Sequence, residues 1–327
     1  MRAMVLDAVT SPLRTVELPI PAPGPGEVLL RVEACGVCRT DLHILDGELQ
    51  EARLPRVLGH QIVGRVAALG EDVAGLVVGQ RLGVPWLGGA CGHCIYCEGG
   101  SENLCDHPTF TGCHRDGGFA EYALAAAPFC FPIPAAYSAI EAAPLLCAGL
   151  IGFRTLRLAG DPRRVGIYGF GAAAHLVAQV AIHEGREVFA FTRSGDLASQ
   201  AFARRLGVRW AGGSDEAATE PLDVALIFAP VGALVPLALR AVRKGGSVVC
   251  GGIHMSDLPA MPYELLWGER VLRSVANLTR QDGWDFFALA GKVKLQVETT
   301  PYALVDAGLA LEDLRHGRLQ GAAVLVP

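Results

Sequence analysis

The sequence is short of basic charge: 28 Lys and Arg stand against 33 Asp and Glu, a net charge of -5. Non-specific nucleic-acid binding draws on a concentrated basic surface, so this balance argues against that class while leaving room for a local patch. Long uncharged apolar runs are also missing. A membrane span needs roughly 18 such residues, and the longest stretches, near Leu145 and Leu176, are interrupted by Gly, Arg, His or Gln. The opening Met1-Arg2-Ala3-Met4-Val5-Leu6 lacks the apolar core and cleavage site of a secretory signal. Internal repeats and low-complexity tracts are absent too. The expectation is a cytoplasmic protein with neither nucleic acid nor membrane as partner.

What is present is globular. At 327 residues, 51% hydrophobic and 19% charged, the chain is long enough for two domains, each with its own core. Its 40 glycines cluster at apparent strand ends, as expected of an α/β protein with many tight turns. The first 140 or so residues are rich in short strands and turns. Val28–Val32 and Ile62–Val66 read as strands, and residues 21–26 as a turn-rich connector.

Beyond about residue 145 strands and helices alternate. A strand over Val165–Tyr168 precedes a helix from Ala172 to about Glu184, ended by Gly185, and then a strand over Glu187–Thr192. A helix follows over Leu197–Leu206, a strand over Val224–Phe228, a helix over Leu234–Val242, and strands at Ser247–Cys250 and Leu272–Ala276. This alternation predicts a doubly wound parallel sheet with right-handed crossovers. From about Gln281 the sequence offers a helix, a strand and a closing apolar strand at Ala322–Val326.

Gly169-Phe170-Gly171-Ala172-Ala173-Ala174 fits G-x-G-x-x-G/A between a predicted strand and helix. The first glycine permits the tight turn and the second admits a pyrophosphate to the backbone. The small Ala174 lets helix and strand pack closely. The pyrophosphate would sit at the helix N-terminus, where free N–H groups and the helix dipole favour an anion. An acidic residue ending the second strand would select NAD by holding the ribose 2′-hydroxyl. This chain instead offers Thr192-Arg193-Ser194, which can accept the 2′-phosphate of NADP. NADP is the favoured expectation. The alternatives are that Arg193 is a solvated loop residue, or that nearby Asp196 serves NAD.

Ten cysteines would suggest disulfides in a small secreted chain; clustered in a chain of this length they more often mean metal. Cys91, Cys94, Cys97 and Cys105 can close a tetrahedral four-cysteine site, with Gly92, Gly99 and Gly100 freeing the backbone to wrap an ion. Four thiolates with no open position describe a structural zinc; an iron–sulfur cluster and chance spacing are the competing readings. His93 reads as a bystander. Two further segments carry zinc-type ligands: Cys35-Gly36-Val37-Cys38-Arg39-Thr40-Asp41-Leu42-His43 and Gly59-His60-Gln61. Alone, such a cysteine or histidine is more often a packed core side chain.

Taken together, these segments, Pro144-Leu145-Leu146-Cys147-Ala148-Gly149, the four-cysteine lobe and the glycine motif resemble the zinc-containing medium-chain alcohol dehydrogenases, on a branch near the cinnamyl alcohol dehydrogenases. The resemblance covers essentially the whole chain. It implies a mainly-β GroES-like catalytic domain over residues 1–147 with a zinc lobe at about 88–110. A Rossmann domain would occupy 148–280, and 281–327 would return to the catalytic domain. It implies two zinc ions per chain. Cys38, His60 and Cys147 would hold the catalytic ion, the set of two cysteines and one histidine with an open fourth position known for alcohol dehydrogenases. The four-cysteine lobe would hold the structural one.

The resemblance also implies a reaction course. Zinc favours the alkoxide of an alcohol, Thr40 receives the proton and passes it through the cofactor ribose to His43, and hydride moves to the nicotinamide. Asp41 would hydrogen-bond the far nitrogen of His60 and fix its tautomer. Arg39 would help neutralise the pyrophosphate, and the backbone at Gly251, Gly252 and Ile253 would meet the nicotinamide amide. Trp86 and Leu49 fall where relatives line the substrate pocket, suiting medium aliphatic or aromatic alcohols; Trp86 as a plain core residue is the alternative. Relatives are commonly homo-dimers or homo-tetramers.

Two departures from the family pattern stand out. Gln61 replaces a usual glutamate, which removes a negative charge and leaves zinc plus two thiolates formally neutral. Gln320 and Gly321 stand where relatives often place a cofactor-binding arginine. Two other functions compete: a zinc-independent quinone or enoyl reductase of the same superfamily, which would not need Cys38, His60 and Cys147, and a zinc-lobed nucleic-acid-binding module, which would need a basic face.

Overall fold

The computed structural model describes residues 1–49, 51–319 and 321–327, so Gln320 lies outside the described residues. The chain divides into two compact units, one formed by Met1–Cys147 with Asn277–Pro327 and the other by Ala148–Ala276. The return to the first unit begins at Asn277, ahead of residue 281.

The first unit is mainly β. The order in its largest sheet is 131–132, 81–84, 61–69, 27–37, 322–326 and 299–303, with Tyr122–Ala126 also paired to Glu27–Val37. Glu27–Val37 and Gln61–Leu69 both run longer than predicted. Their register sets Gly36 opposite Gln61, and Ile62 in turn faces Val84 on Arg81–Val84. The middle strand is antiparallel to both of its neighbours. Cys38 just beyond the first, His60 just before the second and Trp86 just beyond the third therefore emerge at the same edge.

Beneath them Leu30, Val32, Leu58, Ile62 and Phe119 share one buried core. Each such apolar side chain stabilises the fold by roughly 1.5–3 kcal/mol through burial. The C-terminal segment holds two helices, Arg280–Ala290 and Ala307–Arg315, where the sequence pointed to one. In the second, Ala307, Ala310 and Leu311 give a buried stripe too short to be read as a period.

The second unit contains α1 (Ala148–Leu158), β1 (Arg164–Tyr168), α2 (Ala172–His183), β2 (Glu187–Thr192), α3 (Leu197–Arg205), β3 (Trp210–Gly213), β4 (Leu222–Ile227), α4 (Leu234–Ala241), β5 (Val242–Cys250) and β6 (Val271–Ser274). All neighbours are parallel, in the order β3-β2-β1-β4-β5-β6. This is the doubly wound Rossmann order, with its topological switch between β1 and β4. In α2 the buried Ala174, Val177, Ala178 and Ala181 recur at the helical period. Gly185, at φ +79°, follows its end. The strand β3 escapes sequence reasoning because Trp-Ala-Gly-Gly offers neither alternation nor β-branched residues. No single helix among the described residues is long and apolar enough to cross a membrane.

Candidate active site

Cys38 caps the helix Arg39–Leu45, its sulfur accepting the Thr40 backbone N–H at 3.4 Å. His60 follows Gly59, whose backbone has φ +95°. A side chain at position 59 would strike the Phe119 ring and the Cys35 sulfur, so only glycine lets the chain turn there. Cys147 ends the short turn Ala143–Leu146, which packs on the strands carrying the other two. The Cys38 and Cys147 sulfurs and one ring nitrogen of His60 lie within 4.8 Å of one another. Cys38 Sγ is 3.1 Å from His60 Nε2.

The electrostatics of this trio are those of a cation site. His60 is fully buried. Burial works against its imidazolium, yet the Cys38 thiolate and the Asp41 carboxylate outweigh it and lift the ring to about 10. A hydrogen bond with Cys147 holds the Cys38 thiol well below its ordinary value, and Cys147 is pushed up in return. Donors this close need protons or a metal ion among them, and two sulfurs with one imidazole suit zinc.

Asp41 does more than the sequence reading assigned it. It is fully buried and accepts the backbone N–H of Cys38 at 2.9 Å and of Gly59 at 3.1 Å. One carboxylate thereby ties the loop of the first donor to the loop of the second. Its Oδ1 lies 3.4 Å from His60 Nδ1, an ion-pair contact that falls short of the hydrogen bond expected between them. Burial raises the Asp41 pKa despite His60. Gln61 is buried with its side chain against Gly36. It removes one charge from the site, and Asp41 supplies another beside His60.

Thr40 is buried on the first turn of the same helix, and Arg39 beside it is exposed. His43 Nδ1 pairs with the Glu48 carboxylate. Glu48 gives no signal in the sequence, because nothing in its spacing distinguishes it from a solvated acid. The Trp86 ring meets His60 edge-on with centroids 5.0 Å apart, stacks on Phe110 at 4.9 Å, and Phe110 stacks on His114 at 5.1 Å. Phe110 and His114 are likewise unmarked in the sequence. Beyond them opens a hollow of about 750 Å³ lined by Glu51, Arg53, Leu104, His107, Phe110 and His114. Trp86 is part of the buried core and Leu49 packs half-buried against it; neither lines that hollow.

The Cys91, Cys94, Cys97 and Cys105 sulfurs also gather within 4.8 Å. Backbone N–H groups support them: those of Cys91 and His107 each reach Cys105 Sγ at 3.3 Å, and those of Cys97 and Asp106 hold the Cys94 thiol down to about 6. His93 bonds the Cys91 carbonyl through Nδ1 and stays outside the donor set. Cys35, Cys113 and Cys130 are buried, while Cys250 is only half-buried.

In the second unit the glycine turn leaves room for a dinucleotide. Gly169 has φ +84°, and a Cβ there would strike Ala229. At Gly171, the N-cap of α2, a Cβ would meet nothing within 4 Å, so the backbone is open on that side. No side chain caps α2, and its first N–H groups are left for an anion. Ala174 is fully buried. Gly251 continues β5 with its N–H on the Ile227 carbonyl at 2.8 Å; Gly252 is half-buried and Ile253 exposed.

These features have close counterparts among known proteins. The alcohol dehydrogenase GroES-like domain matches residues 24–135. A Mycobacterium tuberculosis protein named "Probable alcohol dehydrogenase AdhA" is 44% identical over 97% of this chain and 93% of its own. Among solved structures, acetophenone reductase from Geotrichum candidum in complex with NAD is 29% identical with a TM-score of 0.89, covering 100% of this chain and 97% of that one. A cobalt- and zinc-bound thermostable alcohol dehydrogenase from Pyrobaculum aerophilum is 27% identical, TM-score 0.89, covering 100% and 99%. A Sorghum bicolor cinnamyl alcohol dehydrogenase, 24% identical over 99% of this chain and 97% of that one, shares the fold at a TM-score of 0.90. The chain belongs to the zinc-type medium-chain alcohol dehydrogenase family.

Proposed function

We propose that this chain is a zinc-dependent oxidoreductase that interconverts alcohols with aldehydes or ketones, with a nicotinamide dinucleotide as hydride partner. The convergence of Cys38, His60 and Cys147 carries this reading. These side chains would hold the catalytic zinc, and the Cys91, Cys94, Cys97 and Cys105 thiolates a structural one. Zinc held there would supply a Lewis acid that eases deprotonation of an alcohol, and a bound nicotinamide dinucleotide would supply the hydride acceptor or donor.

The remaining roles fall to the chain's own groups. Asp41 orients His60 so that Nε2 faces the metal position. Thr40 takes the alcohol proton, and His43, steadied by Glu48, receives it at the surface. Trp86, edge-on to His60, and Leu49 bound the substrate. The Gly169–Ala174 turn would bind the pyrophosphate at the N-terminus of α2, and Gly252 and Ile253 would meet the nicotinamide.

A zinc-independent reductase would leave Cys38, His60 and Cys147 without a task. Strand β6 lies at the edge of its sheet, and the exposed Tyr263, Trp267 and Val271 accompany it. Unpaired edges of this kind invite a second copy, which supports a homo-oligomer. Six cysteines given to metal and no disulfide among the ten suit a reducing compartment such as the cytoplasm. The test is oxidation of benzyl and aliphatic alcohols with NAD and NADP before and after zinc removal. Activity should vanish with the metal and return with it; quinone or enoyl reduction that survives complete zinc removal would overturn the proposal.

A further inference from the structure

The corner where β2 and β3 end is hydrogen-bonded in a way that the run Thr192-Arg193-Ser194 does not reveal. The two strands are parallel with Thr192 opposite Gly213, so both deliver their next residues to the same carboxyl edge. The buried Thr192 hydroxyl has the Arg193 carbonyl at 3.0 Å and the Gly212 carbonyl at 3.2 Å as acceptors, and itself accepts from Gln200. The Ser194 hydroxyl donates to the Asp215 carboxylate. A hydroxyl has one proton to give. The two hydroxyls of the Thr192-Arg193-Ser194 run have therefore committed theirs to protein acceptors.

Asp196, the acid nearest in sequence, is also committed. It caps α3, accepting the Ser199 backbone N–H at 3.0 Å and the Ser199 hydroxyl at 2.8 Å. The carboxylates facing the corner come instead from the loop after β3. A Cβ built on Gly213 would collide with Asp215 Oδ1 and lie 3.0 Å from Glu216 Oε1 and 3.2 Å from Ser194 Oγ, so these polar atoms converge on one spot. Glu216 is anchored there by the Gly213 N–H at 2.6 Å. Exposed Arg193, next to Ser194, brings one positive charge against these two negative ones.

We propose that Asp215 is the residue that sets cofactor choice, accepting the ribose 2′-hydroxyl from the end of β3 and making NAD preferred over NADP. The inference rests on the dinucleotide reading of this unit and reverses the expectation drawn from Arg193. A carboxylate only accepts hydrogen bonds, which matches a hydroxyl donor. A 2′-phosphate would bring a further charge of about -2 against two carboxylates, with the Thr192 and Ser194 protons already directed to protein acceptors.

The test titrates the zinc-loaded enzyme with NADH and with NADPH, following tryptophan fluorescence quenching, and then compares kcat/KM for both oxidised cofactors. The wild type should bind NADH at least about tenfold more tightly than NADPH. Asp215→Ala frees the Ser194 proton and leaves Arg193 less opposed, so the NADH-to-NADPH affinity ratio should fall by about tenfold. Ser194→Ala should leave NADPH affinity within about twofold, because its hydroxyl is not a phosphate donor in this arrangement. Tighter NADPH binding by the wild type, an unchanged ratio in Asp215→Ala, or a tenfold loss of NADPH affinity in Ser194→Ala overturns the proposal. Binding of neither cofactor overturns the dinucleotide reading as well, and only that outcome does so.

Discussion

The two donor clusters of the first unit are built on opposite plans. Cys91, Cys94, Cys97 and Cys105 come from one short stretch, three of them half-buried, around turns in which Gly92 and Gly100 take positive φ. Little apolar surface is available to hold that lobe in shape, so the ion and the chain must organise each other. Cys38, His60 and Cys147 come from three separate parts of the sequence, set at one edge of a close-packed sheet. Buried Asp41 fastens the Cys38 and Gly59 backbones. There the scaffold makes the site, and a metal bound by only three side chains would keep a position open for chemistry. Loss of metal should therefore cost stability in the first cluster and activity in the second.

Paired substitutions can break that contrast. Cys147→Ser should lower kcat/KM for alcohol oxidation by about a thousandfold or more, the loss of several kcal/mol of Lewis-acid stabilisation, with a small change in Tm. Cys97→Ser should destabilise the fold by about 4 kcal/mol or more, read by calorimetry, while turnover per folded chain survives. Equal effects of the two on Tm would remove the distinction. One step further out, Asp41→Asn should weaken zinc at the catalytic site by about 10–100-fold, measured by competition with a chelator, and leave the lobe zinc in place.

The smallest effect concerns how the lobe is moored. Glu102 on the short turn Glu102–Leu104 accepts both the backbone N–H and the guanidinium Nε of Arg280 at 2.9 Å. Burial works to raise its pKa, but these Arg280 bonds outweigh it and hold the carboxyl below the usual carboxylate range. A lowered folded-state pKa stabilises above the unfolded value and is lost as pH falls through the folded one. Glu102→Gln should therefore destabilise by about 1–3 kcal/mol at pH 7, and the difference from wild type should fade below about pH 4. Denaturant titration at both pH values reads it; a difference independent of pH would contradict the charge argument.

What the sequence made legible follows the same division. The lobe could be read from spacing because its ligands are neighbours in the chain. The alternation of strand and helix around Gly169 could be read because β1, α2 and β2 each satisfy a local period. The convergence of Cys38, His60 and Cys147 could be read only through the resemblance, since no local pattern says that Cys147 will meet His60. Glu48, Phe110, His114 and Asp215 were not legible at all. Their contacts depend on which side chains a turn or a strand register brings opposite them, as Ser194 and Asp215 meet because β2 and β3 are paired. The short strand β3 and the helix Ala307–Arg315 were hidden for want of length.

The most direct measurement is the zinc content of purified wild type and Cys38→Ser, taken alongside benzyl alcohol turnover. The account predicts two zinc ions per chain and zinc-dependent turnover in the wild type, and one ion with turnover abolished in the variant. Full activity in Cys38→Ser, or two retained zinc ions, would contradict it.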